Sequence, residues 1–423
     1  MHFTHVVSVL AASLVLSEGA TSPFSPNPPS YLGCIGGPMR QWPGCANTAP
    51  AQTNLTNVVT TFANVTCSSY TGPFGVAYDT YHPGRAFVVV GSTLHVLDTS
   101  GFTPTVLQSI TLGNITVVLM AGGIELTIDG RFIMVATGSN WLIIVDAAKA
   151  LAGCSDAVVG RIPGNLAAGS SAVLLTVSPN NEYVFVSQED GNTATTAVNG
   201  TQVGTVEVFK LNTPLGGTND TVTGRSIGYI ELGLLVVGSV LSGDGQYLYV
   251  ASERKSETVG QGTITVLSVP KLETQPNTSF VSQVVTGCGP VRLLLSSDGS
   301  TFWTSARESN LLQGFDTSKL ISDPDNALIA SVQVGTQPVD LIFAKNETRI
   351  LTADSSRSYV NASAGISVVD VEAALAGNMH ASLGSIPTGY FPRQLAVSHD
   401  GNTVLVSLYC SCQVQTIDVA TLP

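Results

Sequence analysis

Along most of the chain, apolar runs of strand length alternate with short turns, and one phrase recurs about every fifty residues. An apolar run leads into a Ser-x-Asp-Gly-type turn, then into a second apolar run ending in a small polar residue, then into a third. The clearest copies are Val240-Leu-Ser-Gly-Asp-Gly-Gln-Tyr-Leu-Tyr-Val-Ala-Ser252, Leu293-Leu-Leu-Ser-Ser-Asp-Gly-Ser-Thr-Phe-Trp-Thr-Ser305 and Leu395-Ala-Val-Ser-His-Asp-Gly-Asn-Thr-Val-Leu-Val-Ser407. Self-similarity at that period marks a solenoid, propeller or array, and runs this short predict strands rather than helical repeats. Repeat starts near Gly72, Ala121, Ser171, Leu234, Gly289, Gln337 and Phe391 give seven units.

Each unit offers three apolar runs and a fourth, more polar one that ends in Gly, as in Ile329-Ala-Ser-Val-Gln-Val-Gly335. Four strands per unit predict the blade of a β-propeller. The Asp-Gly pairs at 244–245, 298–299 and 400–401 suit a first hairpin whose two central residues both take positive φ. The last unit stops at Pro423 after its third run, so its fourth strand must come from the segment at 53–65, which would close the ring and leave no edge. Ile144-Val-Asp-Ala-Ala-Lys-Ala-Leu-Ala-Gly153 and Val368-Val-Asp-Val-Glu-Ala-Ala-Leu-Ala-Gly377 each predict a third strand ending in a helix-capping Asp. The fold expected over 53–423 is thus all-β: a seven-bladed propeller of four-stranded antiparallel blades, closed by an N-terminal strand that completes the last blade.

The motifs Tyr249-Val-Ala-Ser252, Phe185-Val-Ser-Gln188 and Pro392-Arg-Gln-Leu-Ala-Val-Ser-His-Asp-Gly401 carry a family likeness. Over about 53–423 the chain resembles the YVTN-repeat, lactonase-like seven-bladed propellers, as a secreted, eukaryotic and fungal member. That group holds lactonases, cyclases and non-catalytic surface proteins, so the resemblance implies a fold and leaves the chemistry open.

Residues 1–20 read as a secretory signal peptide: an apolar run at 6–16, too short to span a bilayer, precedes small residues suited to cleavage. Residues 21–52 are rich in Pro and Gly and read as an extended arm. Asn-x-Ser/Thr acceptors at Asn54, Asn64, Asn114, Asn199, Asn219, Asn277, Asn346 and Asn361 fit the export route. A formal net charge of -12 speaks against nucleic acid or an anionic membrane as partner. Seven cysteines in an exported chain predict disulfides with one thiol left over. Cys34 and Cys45 bracket a short loop and are expected to pair locally. Cys67 is expected to bond Cys410 or Cys412, because its strand meets theirs where the ring closes.

In a propeller, the loops that lead into the inner strands and those joining second to third strands open on one face. The chain's scarce charges gather there. Second-to-third loops hold Glu189 and Asp190, then Glu253 and Arg254, then Arg307 and Glu308, then Asp354 and Arg357; the inner-strand starts add Arg292, Asp340 and Arg393. Arg offers a fork to a carboxylate or oxyanion, and a nearby carboxylate can serve as general base. Tyr390, Phe391 and Tyr409 reach the same face, with Trp141 and Tyr359 in neighbouring loops, and could stack on a ring. The plainer account is that such Arg–Glu pairs only hold neighbouring blades in register.

These patterns give a secreted monomeric propeller that takes a small organic acid, lactone or sugar in its funnel. If it is an enzyme, lactone hydrolysis is the expected reaction, with Glu253, Glu308 or Asp354 as base and Arg307, Arg357 or Arg393 at the oxyanion. The alternatives are an isomerase or cyclase using the same groups, and a non-catalytic glycan- or protein-binding propeller. No histidine falls at the expected mouth, which argues against a Ser-His-Asp triad or a His-bound metal. Val203-Gly-Thr-Val and Gly260-Gln-Gly-Thr lack the strand-to-helix setting of a nucleotide loop, so no cofactor is implied.

Overall fold

The computed structural model describes residues 45, 48–67, 71–113, 121–166, 171–191, 203–212, 221–256, 258–357 and 364–423. The signal-peptide segment, Cys34, most of the arm, Tyr359, and the acceptors Asn114, Asn199, Asn219 and Asn361 lie outside them. Strand β1 (Thr60–Asn64) precedes a four-stranded sheet of β2 (Pro73–Tyr78), β3 (Arg85–Val90), β4 (Thr93–Asp98) and β5 (Thr105–Thr111). The next sheet holds β6 (Ala121–Leu126), β7 (Phe132–Thr137), β8 (Trp141–Asp146) and β9 (Val158–Pro163). A seven-stranded sheet follows: β10 (Ala172–Val177), β11 (Tyr183–Gln188), β12 (Val203–Asn212), β13 (Thr223–Leu241), β14 (Tyr247–Arg254), β15 (Gln261–Ser268) and β16 (Phe280–Cys288).

Two further four-stranded sheets comprise β17 (Pro290–Leu295), β18 (Thr301–Ala306), β19 (Leu311–Asp316) and β20 (Leu328–Gln333), then β21 (Pro338–Ala344), β22 (Arg349–Asp354), β23 (Gly365–Asp370) and β24 (Ser382–Pro387). The last holds β25 (Pro392–Val397), β26 (Thr403–Leu408) and β27 (Gln413–Asp418), with β1 as its fourth member. The N-terminal strand runs antiparallel to β27, Thr60 opposite Ile417 and Asn64 opposite Gln413. All the strand pairs within these sheets are antiparallel.

The inner strands pack in chain order: β2 on β6, β6 on β10, β10 on β13, β13 on β17, β17 on β21, β21 on β25, and β25 on β2. Their alternate residues form apolar layers between sheets. Val76 and Val88 of the first four-stranded sheet, for example, share a core with Leu405 and Val414 of the last. Removing each such side chain from water contributes about 1.5–3 kcal/mol.

Three expectations need correction. The expected start of a separate strand at Leu234 gives way to β13, whose first part pairs with β12 and whose last part pairs with β14. Pro290, Pro338 and Pro392 open the inner strands of later sheets, whereas no proline interrupts β13. The Asp-Gly hairpins place only the glycine at positive φ, at 68° for Gly245, 70° for Gly299 and 71° for Gly401. The aspartate instead clamps the turn: Ser242 Oγ and Gln246 N donate to Asp244 Oδ1 at 2.6 and 3.0 Å. Finally, Cys45 bonds Cys288, 243 residues away, and so is not paired with Cys34. Cys67 bonds Cys412, Cys410 is also disulfide-bonded, and Cys154 carries a free thiol.

The two Asp-capped turns are present. Asp146 accepts from Lys149 N, and Asp370 from Ala373 N, both at 2.9 Å. Asn54, Asn64, Asn277 and Asn346 are all exposed. Among the described residues no helix is long and apolar enough to cross a membrane.

Candidate functional site

Four inner strands, and the part of β13 that pairs with β14, begin in the same unusual way. Ser171, Leu235, Gly289, Gln337 and Phe391 each hold a left-handed backbone, with φ between 52° and 67°. For Leu235 and Phe391 this conformation is strained, and such strain clusters where surrounding structure dictates a geometry. A β-bulge follows in each case, seen as register shifts after Ala172, Val236, Pro290, Pro338 and Pro392. A bulge re-aims the side chain it carries. Two residues beyond the left-handed position stand Val173, Val237, Val291, Val339 and Arg393.

These five side chains line one cavity of roughly 30 Å³, room for about two water molecules. Phe391, Glu189, Glu253, Arg292, Arg307 and Arg357 complete the lining. Four arginines thus face two glutamates in a chain whose net charge is -12. The lining itself thus carries more positive than negative side chains, the reverse of the chain as a whole.

Two of the arginines are engaged. Arg307 Nη2 lies 2.7 Å from Glu253 Oε2, a pair whose side chains are 16% and 3% exposed. The left-handed Gly289 fixes both partners, its N–H donating to Glu253 O at 3.2 Å and its carbonyl accepting from Arg307 N at 2.8 Å. Arg292 is buried and donates through Nη1 to Val237 O, bridging β17 to β13. Burial lowers its pKa, and Asp340 acts against that shift.

The other two arginines meet rings. The Arg393 guanidinium carbon lies 3.7 Å from the Phe74 ring centroid, 5.2 Å from Phe391 and 5.6 Å from Tyr409. Arg357 lies 5.6 Å from Phe391. Neither has a carboxylate partner among the described residues. Burial, followed by the charges of Arg357 and Arg292, brings Arg393 down to about 9. Glu189 rises to about 7, chiefly through burial and next through repulsion from Glu253 and Asp190.

The remaining candidates stand off the lining. Glu308 Oε1 is 3.6 Å from Arg254 Nη2 and 3.9 Å from Arg307 Nη2, and burial raises its pKa. Asp340 accepts from Leu395 N at 2.7 Å, tying β21 to β25, and burial raises it to about 6. Asp354 is enclosed within its own sheet, accepting from Ser367 Oγ, Thr352 Oγ1 and Ser367 N at 2.5, 2.9 and 3.1 Å, and burial raises it to about 7. Tyr409 packs 5.5 Å from Phe391 with the rings tilted, while Tyr390 is exposed. The valines escaped the sequence reading, although their fixed spacing from the repeat starts was a usable signal.

No family model matches the chain, and no curated protein matches it. Solved structures do. Hydrazine synthase of Kuenenia stuttgartiensis is similar with a TM-score of 0.61 and 12% identity, covering 84% of this chain and 98% of that one. The β-propeller domain of Cps50 (Swd1) from Myceliophteria thermophila gives 0.58 and 10%, with 85% and 100% covered. A chain of the mitotic checkpoint complex gives 0.58 and 12%, with 98% and 99% covered. The fold is a β-propeller. At these identities the likeness extends to architecture alone and not to YVTN-repeat or lactonase-like membership.

Proposed function

We propose that this is a secreted seven-bladed propeller over 53–423 whose central mouth binds a small carboxylate-bearing molecule. Counting the seven-stranded sheet as two blades that share β13 gives seven, and pairing of β1 with β27 supports closure of the ring. Two disulfides fit an oxidising compartment. The observation that carries the binding reading is the pair Arg357 and Arg393: two cations at one cavity, held by rings and lacking carboxylate partners among the described residues. Arginine forks in a partly desolvated site favour a carboxylate or an oxyanion.

Glu189 favours a second reading, hydrolysis of a lactone. A carboxyl near 7 is matched to general-base work at neutral pH. Glu189 would take a proton from water as the water oxygen bonds the lactone carbonyl carbon. It would return that proton to the ring oxygen as the ring C–O bond breaks, with Arg393 and Arg357 facing the oxyanion. Glu253 is less suited, since Arg307 already occupies its carboxylate.

The test is thermal-shift and turnover screening of the purified protein against carboxylic acids, lactones and sugars. Carboxylates should raise the melting temperature, and less so in Arg357→Gln, whose exposed position spares folding. Lactone turnover should vanish in Glu189→Gln. No response to any carboxylate at millimolar concentration would sink the binding reading.

A further inference from the structure

The charges describe one end of the ligand, and the cavity floor describes the other. Val173, Val237, Val291 and Val339 occupy one register position on neighbouring inner strands, and all four are buried. In the first four-stranded sheet the equivalent position is Phe74, which follows Pro73 as Val291 follows Pro290. Strand β25 places Arg393 at this level instead. Three backbone carbonyls at this level are already taken: Val237 O by Arg292, Val339 O by Ser305 Oγ at 3.1 Å, and Phe74 O by Ser407 Oγ at 2.7 Å. The lining holds no hydroxyl or amide side chain among the described residues.

We infer that the mouth selects a short apolar carboxylate, aliphatic or aromatic, over a polyhydroxylated one, with the hydrocarbon end among the valines and the carboxylate at Arg393 and Arg357. This rests on the reading of the mouth as an anion site and narrows its ligand class. A hydroxyl set against the valine side chains leaves water and gains no bond from them, and buried polar groups without partners are strongly disfavoured. A hydrocarbon end displaces water from valine surface instead. The small cavity adds a limit of size, since its closed part accepts a few atoms and not an oligosaccharide.

Calorimetric titration of the full purified chain with two probes of equal charge and equal heavy-atom count tests this: 3-methylbutanoate and 2,3-dihydroxypropanoate. The first is expected to bind about ten-fold or more tightly, a ratio ordinary for added hydroxyls in an apolar pocket. Val237→Thr and Val291→Thr, nearly equal in shape, should narrow that ratio; the comparison in the unaltered protein stands even if these variants fold poorly. Equal or tighter binding of the dihydroxy acid would overturn the apolar-floor inference while leaving the anion site intact. Failure of both probes to bind would overturn the inference together with the anion site.

Discussion

The guanidinium of Arg393 sits 3.7 Å from the ring centroid of Phe74, joining the inner strand of the last sheet to that of the first. The contact places a cation at the level where four other inner strands present valine. It also keeps that cation from needing a carboxylate. A cation–π contact shielded from water is worth about 1–2 kcal/mol. A double-mutant cycle with Phe74→Leu and Arg393→Met, read by urea unfolding, should give a coupling energy of about 1 kcal/mol. Additive effects would mean that the ring only fills space.

The Glu253–Arg307 pair predicts an asymmetry. Arg307→Ala leaves Glu253 buried without its cation, which costs about 3 kcal/mol or more, as for other broken buried pairs. Glu253→Gln should cost less, because Arg307 keeps more access to water and has Glu308 at 3.9 Å. Denaturant midpoints at constant m-value measure both. Equal and negligible losses would show the pair to be ornamental to stability.

Stability should fall as pH rises from about 4 to 7. Unfolded carboxyls titrate near 4. Folded Asp340 titrates at about 6, and Glu189 and Asp354 at about 7. Between those values the folded chain binds more protons than the unfolded chain, so unfolding free energy decreases with pH across the window. His95, lowered by burial, acts in the opposite direction and only in part of it. Melting temperature should therefore be higher at pH 5 than at pH 7.5, with a shallower slope in Asp354→Asn. A steady rise with pH would contradict these assignments.

Thiol chemistry gives a further check. Denatured but unreduced protein should expose Cys154 as a reactive thiol and leave Cys45, Cys67, Cys288 and Cys412 unlabelled. The Cys67–Cys412 bond spans 345 residues, so Cys412→Ser should cost about 3 kcal/mol or more through the entropy returned to the unfolded chain. Labelling of any of those four would mean that its bond is absent.

The repeat made the inner strands legible because Pro290, Pro338 and Pro392 mark their starts and the Ser-x-Asp-Gly turns mark their ends. It placed a start near Leu234, where pairing with β14 does begin, but not the continuity of β13, where no such punctuation separates the part facing β12 from the part facing β14. The charged loops were likewise legible as a group. What they do one by one was not, because it depends on partners distant in sequence. Asp354 is claimed by Ser367 across its own sheet, and Glu253 by Arg307, 54 residues on. The Cys45–Cys288 bond could not be read either, since local spacing says nothing about two cysteines that approach only after several sheets have packed.

Arg393 and Arg357 are the groups proposed to hold a small carboxylate at the mouth. A crystal structure of the protein soaked in 3-methylbutanoate tests that placement most directly. The carboxylate is expected within hydrogen-bonding distance of the Arg393 or Arg357 guanidinium, with the methyl groups directed at Val237 and Val291. An empty mouth in saturated crystals, or a ligand seated elsewhere, would contradict it.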